Sequence, residues 1–167
     1  MAKKTEKYQS LTHSFAPVYD GDSRILVLGT FPSVKSRKNH FYYGHPQNRF
    51  WKMIAALTEN EVPETIEQKK ELLLANYIAI WDVIKSCDII GSSDSSIKNV
   101  VANDIAALIA ETNIRTIVAN GATAERLYNK YALSQTGIEI IKMPSTSPAN
   151  AAWSLENLCE EWKSILK

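Results

Sequence analysis

The sequence predicts an α/β fold, a three-layer α/β/α sandwich around a four-stranded parallel sheet. Short apolar, β-branched runs alternate along the chain with segments of helical periodicity. The first such run, "SRILVLGT", is apolar without alternation and stops at a glycine, as a strand covered on both faces should. No internal repeat or inter-domain linker interrupts the pattern, so 167 residues with 45% apolar character are expected to build one core.

Residues 1–11 are charged and lack the apolar stretch of a signal peptide, so a mobile N-terminal tail is expected ahead of a single domain over 12–167. A cytoplasmic or nucleoid location follows from that reading and from the lack of any run of about eighteen apolar residues. Strand one is expected over 24–29. A loop then leads to "PQNRFWKMIAAL", whose Phe50, Trp51, Ile54 and Leu57 fall near helical spacing. "PETIEQKKELLLAN" is expected as a second helix opened by Pro63, and "YIAIWD" as strand two. Residues 86–100 are polar with one glycine and are expected as a long loop. "NDIAALIAET" follows as a helix capped by Asn103, then "IRTIVAN" as strand three, "GATAERLYNKYAL" as a helix, "IEIIKM" as strand four and a last helix opened by Ser154.

Composition excludes several chemistries. Two cysteines, Cys87 and Cys159, are too few for a four-thiolate cluster and are not a CxxC pair. His13, His40 and His45 are not spaced with Cys or Asp as a metal-ligand set, and there is no GxGxxG or P-loop. No metal and no cofactor are therefore expected.

Charge is uneven. Lys35, Arg37, Lys38, Arg49 and Lys52 lie in a stretch without a carboxylate, whereas residues 59–71 carry five glutamates. Inside the basic stretch, "FYYGHPQNRFW" holds five aromatic rings. Cations interleaved with rings suit a nucleic-acid surface, where charge meets phosphate and rings accept stacked bases. A solvated loop would leave the same charge pattern.

Ligands of parallel sheets gather beyond the carboxyl ends of the strands. Here those ends lead into "GTFPS", "WDVIKSC", "NG" and "MPSTSPAN". In "GTFPS", Gly29 permits close backbone approach, Phe31 offers a flat face and Pro32 stiffens the turn. A buried ring under a tight turn would use the same residues. "PSTSP" offers hydroxyls and amides between prolines that suit a phosphate, or an ordinary connection into the last helix.

Taken together, "GxFPS" after the first strand, "HPQNRFW" and "MPSTSPANA" after the last strand resemble the uracil-DNA glycosylase superfamily, in particular its hypoxanthine-DNA glycosylase (DNA-deoxyinosine glycosylase) branch. The resemblance covers residues 12–166 and includes "IAIWDVIKSC", "DSSI" and "NG". It implies a monofunctional enzyme that flips a deaminated base, hypoxanthine or also uracil, out of DNA and hydrolyses its N-glycosidic bond, acting as a monomer in base excision repair.

Two departures stand out. The mismatch-specific branch reads GxNP where this chain has Phe31, and the classical branch places a catalytic histidine where it has Met143. In the hypoxanthine branch catalysis is attributed to an asparagine that aligns with Asn48. The resemblance then implies a base pocket of Gly29, Thr30, Phe31, Pro32, Tyr43 and His45, with Phe31 stacking on the base. DNA contacts are expected from Lys35, Arg37, Arg49, Ser145, Thr146, Ser147 and Pro148. For Asn48 the alternative is a helix N-cap. For the protein, the alternatives are a uracil or G·T mismatch glycosylase and a noncatalytic nucleic-acid-binding module.

Overall fold

The fold is seen in a computed structural model that describes residues 7–166. Strand β1 (Gln9–Thr12) comes first, then β2 (Ile25–Gly29), helices α1 (Val34–Asn39), α2 (Phe50–Leu57) and α3 (Ile66–Ala75), and strands β3 (Ile78–Asp82), β4 (Ile84–Ile89) and β5 (Lys98–Ala102). Helix α4 (Ile105–Ala110), β6 (Thr116–Asn120), α5 (Ala122–Tyr131), α6 (Leu133–Thr136), β7 (Ile140–Met143) and α7 (Leu155–Leu166) complete the chain. No described helix is long and apolar enough to cross a membrane.

The four-stranded sheet is parallel throughout, as the alternating pattern predicts, with the order β3-β2-β6-β7. Successive side chains of its strands enter opposite cores. Val27, Ile78, Ile80 and Val118 join Phe50, Ile54, Leu73, Leu158 and Trp162 from α2, α3 and α7 on one face. Leu26, Leu28, Ala79 and Ile117 join Ile105, Leu108, Leu127 and Tyr128 from α4 and α5 on the other. Each fully buried large side chain contributes about 1.5–3 kcal/mol, and double coverage explains the unbroken apolar runs.

Four expectations need correction. First, Gln9–Thr12 pair antiparallel with β4, so the tail does not extend through residue 11; residues 1–6 lie outside the described residues. Second, residues 86–100 are a loop only over 90–97, because β4 and β5 pair on either side of it within a second, antiparallel sheet of order β1-β4-β5. These strands bury one face only, so every other residue is free to be polar.

Third, two helices are capped differently from expectation. Asp104, not Asn103, caps α4 by accepting from Ala107 N–H (3.0 Å). Asn103 instead donates from Nδ2 to the carbonyls of Asp82 (2.9 Å) and Ile84 (3.2 Å), fixing the corner between β3 and β4. Helix α3 opens at Thr65, not Pro63, with a reciprocal Thr65–Gln68 capping box. Ser154 does cap α7, accepting from Asn157 N–H at 3.1 Å.

Fourth, the rings of residues 41–51 are core rather than a nucleic-acid surface. Phe41, Tyr42, Phe50 and Trp51 are buried. Trp51 stacks on Phe41 with centroids 6.0 Å apart, and Tyr43 stacks on Phe50 at 4.0 Å. The Trp51 indole N–H donates to Tyr42 O (3.1 Å), so its one polar atom is satisfied where the ring is buried.

Candidate active site

The segments that leave the carboxyl ends of β2, β3, β6 and β7 enclose a cavity of about 340 Å³. Gly29 to Ser33 supply one wall, Asp82 and Asn120 the strand ends, Ser145 to Ser147 the opposite wall, and Tyr42, Tyr43 and Asn48 the side next to α2. Ser92 to Asp94, from the connection between β4 and β5, close the rim. Its position is the one expected of a ligand site in a parallel sheet, and its size lies at the small end for such pockets.

A hydrogen-bond relay sets the orientation of Asn48. Thr146 N–H donates to Asn120 Oδ1 (2.9 Å), so it is Asn120 Nδ2 that donates to Thr146 Oγ1 (3.0 Å). The Thr146 hydroxyl proton therefore points to Asn48 Oδ1 (2.9 Å), which also accepts from Phe50 N–H (3.0 Å). Both lone pairs of that oxygen are committed. The amide keeps only Nδ2, a pure donor, for whatever enters the cavity. Asn48 thus satisfies the first amide of α2 and lines the cavity at once.

Arg49 fastens the opposite wall. Its guanidinium donates to the carbonyls of Thr146 (3.3 Å), Ser147 (2.8 Å), Asn150 (3.1 Å) and Trp153. Asn150 Nδ2 donates back to Ser145 O (3.0 Å), and Trp162 Nε1 to Pro144 O (3.0 Å). Gly121, at φ 100°, lies beneath this loop; a Cβ there would stand 3.2 Å from Ser145 Cβ. The Ser145 and Ser147 hydroxyls accept from Ser147 N–H and Ala149 N–H (both 3.1 Å), which leaves their protons available.

The β3 end is arranged differently. Asp82 is buried, and its Oδ2 accepts from His13 Nε2–H at 2.8 Å. The other oxygen, Oδ1, has no hydrogen bond to the protein and lies so close to Gly29 that a Cβ there would meet it at 2.4 Å. The close approach that Gly29 permits is therefore to this carboxylate. His13 packs among Phe15 (4.5 Å), Tyr42 (5.7 Å) and the edge of Phe31 (6.1 Å). The Tyr43 hydroxyl is buried without a partner at hydrogen-bond geometry; burial, then the charge of Asp82, raise its pKa and outweigh the opposing pull of the nearby Asn120 amide, so it stays neutral.

A model of the uracil DNA glycosylase superfamily matches residues 16–167. The chain belongs to that superfamily. Among its relatives, hypoxanthine DNA glycosylase of Methanosarcina acetivorans is 34% identical across 94% of this chain and 99% of its own length. The hypoxanthine DNA glycosylase of Methanosarcina barkeri is 31% identical, across 92% and 96%. A solution NMR structure of a Methanosarcina acetivorans protein, described as a uracil DNA glycosylase candidate, superposes with a TM-score of 0.79 at 34% identity, covering 91% of this chain and 94% of that one.

For this member of the superfamily the cavity gathers Gly29, Thr30, Phe31, Pro32, Tyr43, Asn48, Ser145, Thr146 and Ser147, all expected at the site. It does not gather His45, whose Nδ1 accepts from Gln47 N–H (3.0 Å) in its own turn, or Pro148. Arg49, expected to meet phosphate, spends its guanidinium on the carbonyls of the loop after β7. Arg37 is likewise committed, donating to Pro32 O and Gly91 O (both 3.0 Å), with burial lowering its pKa. Thr146 is fully buried and serves the relay, so it is no surface contact. Lys35 is exposed on α1. Sequence reasoning marked the segments that hold Asp82, Asn120 and Asp94 without naming those side chains as site residues, and missed His13, Ser92 and Ser93. A carboxylate ending the apolar run "YIAIW" was a usable signal for Asp82; nothing local marks His13.

Proposed function

We propose that this glycosylase-family chain excises hypoxanthine from DNA, acting as a monomer without metal or cofactor. The carrying observation is the saturated Asn48 Oδ1, which leaves Nδ2 as a fixed donor on a cavity sized for one small ligand. A base inside a duplex cannot reach such a cavity, so it must be flipped out of the stack. Phe31 is the face on which it stacks. The glycosidic bond breaks with its electron pair leaving on the base, water adds to C1′ of the oxocarbenium-like sugar, and the water's proton passes to solvent. Asn48 Nδ2 holds that water by its oxygen, a preorganised contact that does not reorganise during the reaction. The two relatives named as hypoxanthine DNA glycosylases support the choice of base. Independence of metal is tested directly by chelator below.

The test is excision from end-labelled duplexes containing deoxyinosine, deoxyuridine or a G·T mismatch, followed by alkaline cleavage of abasic sites, with and without excess chelator. Deoxyinosine strands are expected to be cut equally in both conditions. Cutting of only the uracil or G·T duplex would reassign the substrate, and no cutting of any duplex would leave a binding module.

A further inference from the structure

We infer that Asp94 is a further catalytic residue of this site, its carboxylate taking a proton from the water that Asn48 holds as that water adds to C1′. The inference rests on the proposed hypoxanthine excision and names the group through which the water's proton leaves.

Asn48 Nδ2 only donates, so it fixes the water by its oxygen and cannot take a proton from it. Seryl hydroxyls and the neutral Tyr43 phenol are poor proton acceptors near neutral pH. Among the described residues, two carboxylates line the cavity, Asp82 and Asp94. Asp82 is buried at the end of β3 and spends Oδ2 on His13 at 2.8 Å. Asp94 stands on the rim, exposed to solvent. A flipped base enters the cavity while its sugar stays joined to the strand outside, so the glycosidic bond comes to the mouth. That is the level of Asp94.

A neighbouring cavity of about 660 Å³ shares Asp94, Ser145, Ser147 and Ala149 with the first. Asp94 therefore borders the loop whose Thr146 holds Asn48 Oδ1. Its own segment is tied down beforehand, since Val34 N–H donates to Ser92 Oγ (2.9 Å) and Arg37 to Gly91 O (3.0 Å). Burial of the carboxyl on its cavity side raises its pKa; the Thr123 hydroxyl opposes, the Asp82 charge adds, and Arg126 opposes. Lys142 and Glu161 line the neighbouring cavity with it. A carboxylate raised in this way is a better base than a free one. In the step itself the C1′–N9 bond breaks with its pair on the base and a water lone pair forms the C1′–O bond. The water proton moves to Asp94, which later releases it to solvent.

Single-turnover excision from a deoxyinosine duplex is measured from about pH 4.5 to 8 in the parent enzyme and in Asp94→Asn, with duplex binding followed in parallel. Near neutral pH the variant is expected to be roughly 10²-fold slower or more, with little change in binding. The ratio of parent to variant rates should fall toward unity as pH drops, because a protonated Asp94 accepts nothing. Asp82, His13, Glu161 and Lys142 are present in both proteins, so their own titrations largely cancel in the ratio. A structural role gives a ratio that does not change with pH and overturns the inference, as does a parental rate in Asp94→Asn. Asp94→Glu should regain part of the rate together with its pH dependence. Equal recovery in Asp94→Gln would assign the effect to shape and overturn the inference too. Each of these results leaves deoxyinosine excision by the parent enzyme standing, whereas no excision by the parent removes the proposed function and this inference together.

Discussion

The two walls of the cavity are built on opposite plans. On the β6–β7 side, Asn120, Thr146 and Arg49 spend their polar groups on one another and on loop carbonyls. On the β2–β3 side, Asp82 keeps an oxygen and Tyr43 a hydroxyl without partners. Asn48 belongs to both, its oxygen tied to the closed wall and its nitrogen available to the open one. Polar residues at a site therefore divide into those that hold geometry and those held in readiness, and only hydrogen-bond accounting separates them.

Breaking the closed wall should cost the most stability. Arg49→Ala is expected to lower unfolding free energy by about 3 kcal/mol in urea titrations, because several carbonyls lose a charged donor. Arg49→Lys should not restore it, since an ammonium cannot reproduce the guanidinium fork. The log-log salt dependence of DNA binding should be unchanged in a folded Arg49→Lys variant.

Asn48→Asp separates the two halves of that residue. A carboxylate still accepts from Phe50 N–H and Thr146 Oγ1–H but has no N–H, so the melting temperature should hold while single-turnover excision falls roughly 10²-fold or more. Asn48→Ala should lose the same activity and, in addition, about 1–2 kcal/mol of stability through the uncapped amide and the orphaned hydroxyl. A parental rate in Asn48→Asp would show that Nδ2 does not serve the reaction.

Thr146→Val removes the relay and keeps the shape. About 1–2 kcal/mol should be lost in thermal or urea unfolding, since Asn120 Nδ2 loses its acceptor and Asn48 Oδ1 one donor. Lys35→Ala, outside both walls, should leave stability alone and flatten the salt slope of duplex binding by about 0.9. An unchanged slope would place the DNA away from α1.

The smallest effect concerns the antiparallel sheet behind the open wall. Burial, with Asp88 beside it, pushes the Cys87 thiol up to about 11, against an ordinary value of 9.0. Between those values the unfolded thiol releases its proton while the folded one keeps it, so stability falls as pH rises through the window. Cys87→Ala should reduce that alkaline slope in unfolding measured from pH 8 to 11.

Much of this architecture is legible in the sequence because burial writes it there. "ILVLG", "IAIWD" and "TIVAN" are apolar without alternation in their interiors since each faces two cores, and polar residues come only at their ends. "QSLT" and "KNVVA" carry no such signature, because strands of a one-sided sheet must also satisfy water. At the site, Gly29, Phe31 and Asn48 were legible through their motifs. Arg49 stood in the same motif, but its loop contacts were not legible, since an arginine among aromatics looks the same whether it meets phosphate or its own loop. His13 was illegible: its importance lies in a partner 69 positions away.

That partnership ties the first described strand to the floor of the cavity. His13 follows directly on β1, an edge strand of four residues whose near neighbour is β4 alone, and its own amide bonds Lys85 O at 2.7 Å. Edge strands are among the first elements to open in native-state fluctuations, well below the free energy of global unfolding. Each such opening would release Asp82 from its guide while the Asn48 amide ahead of α2 stayed in place. Amide exchange at Leu11 and His13 would then report how often the Asp82 corner of the cavity comes loose, so that corner would soften with temperature before the fold melts.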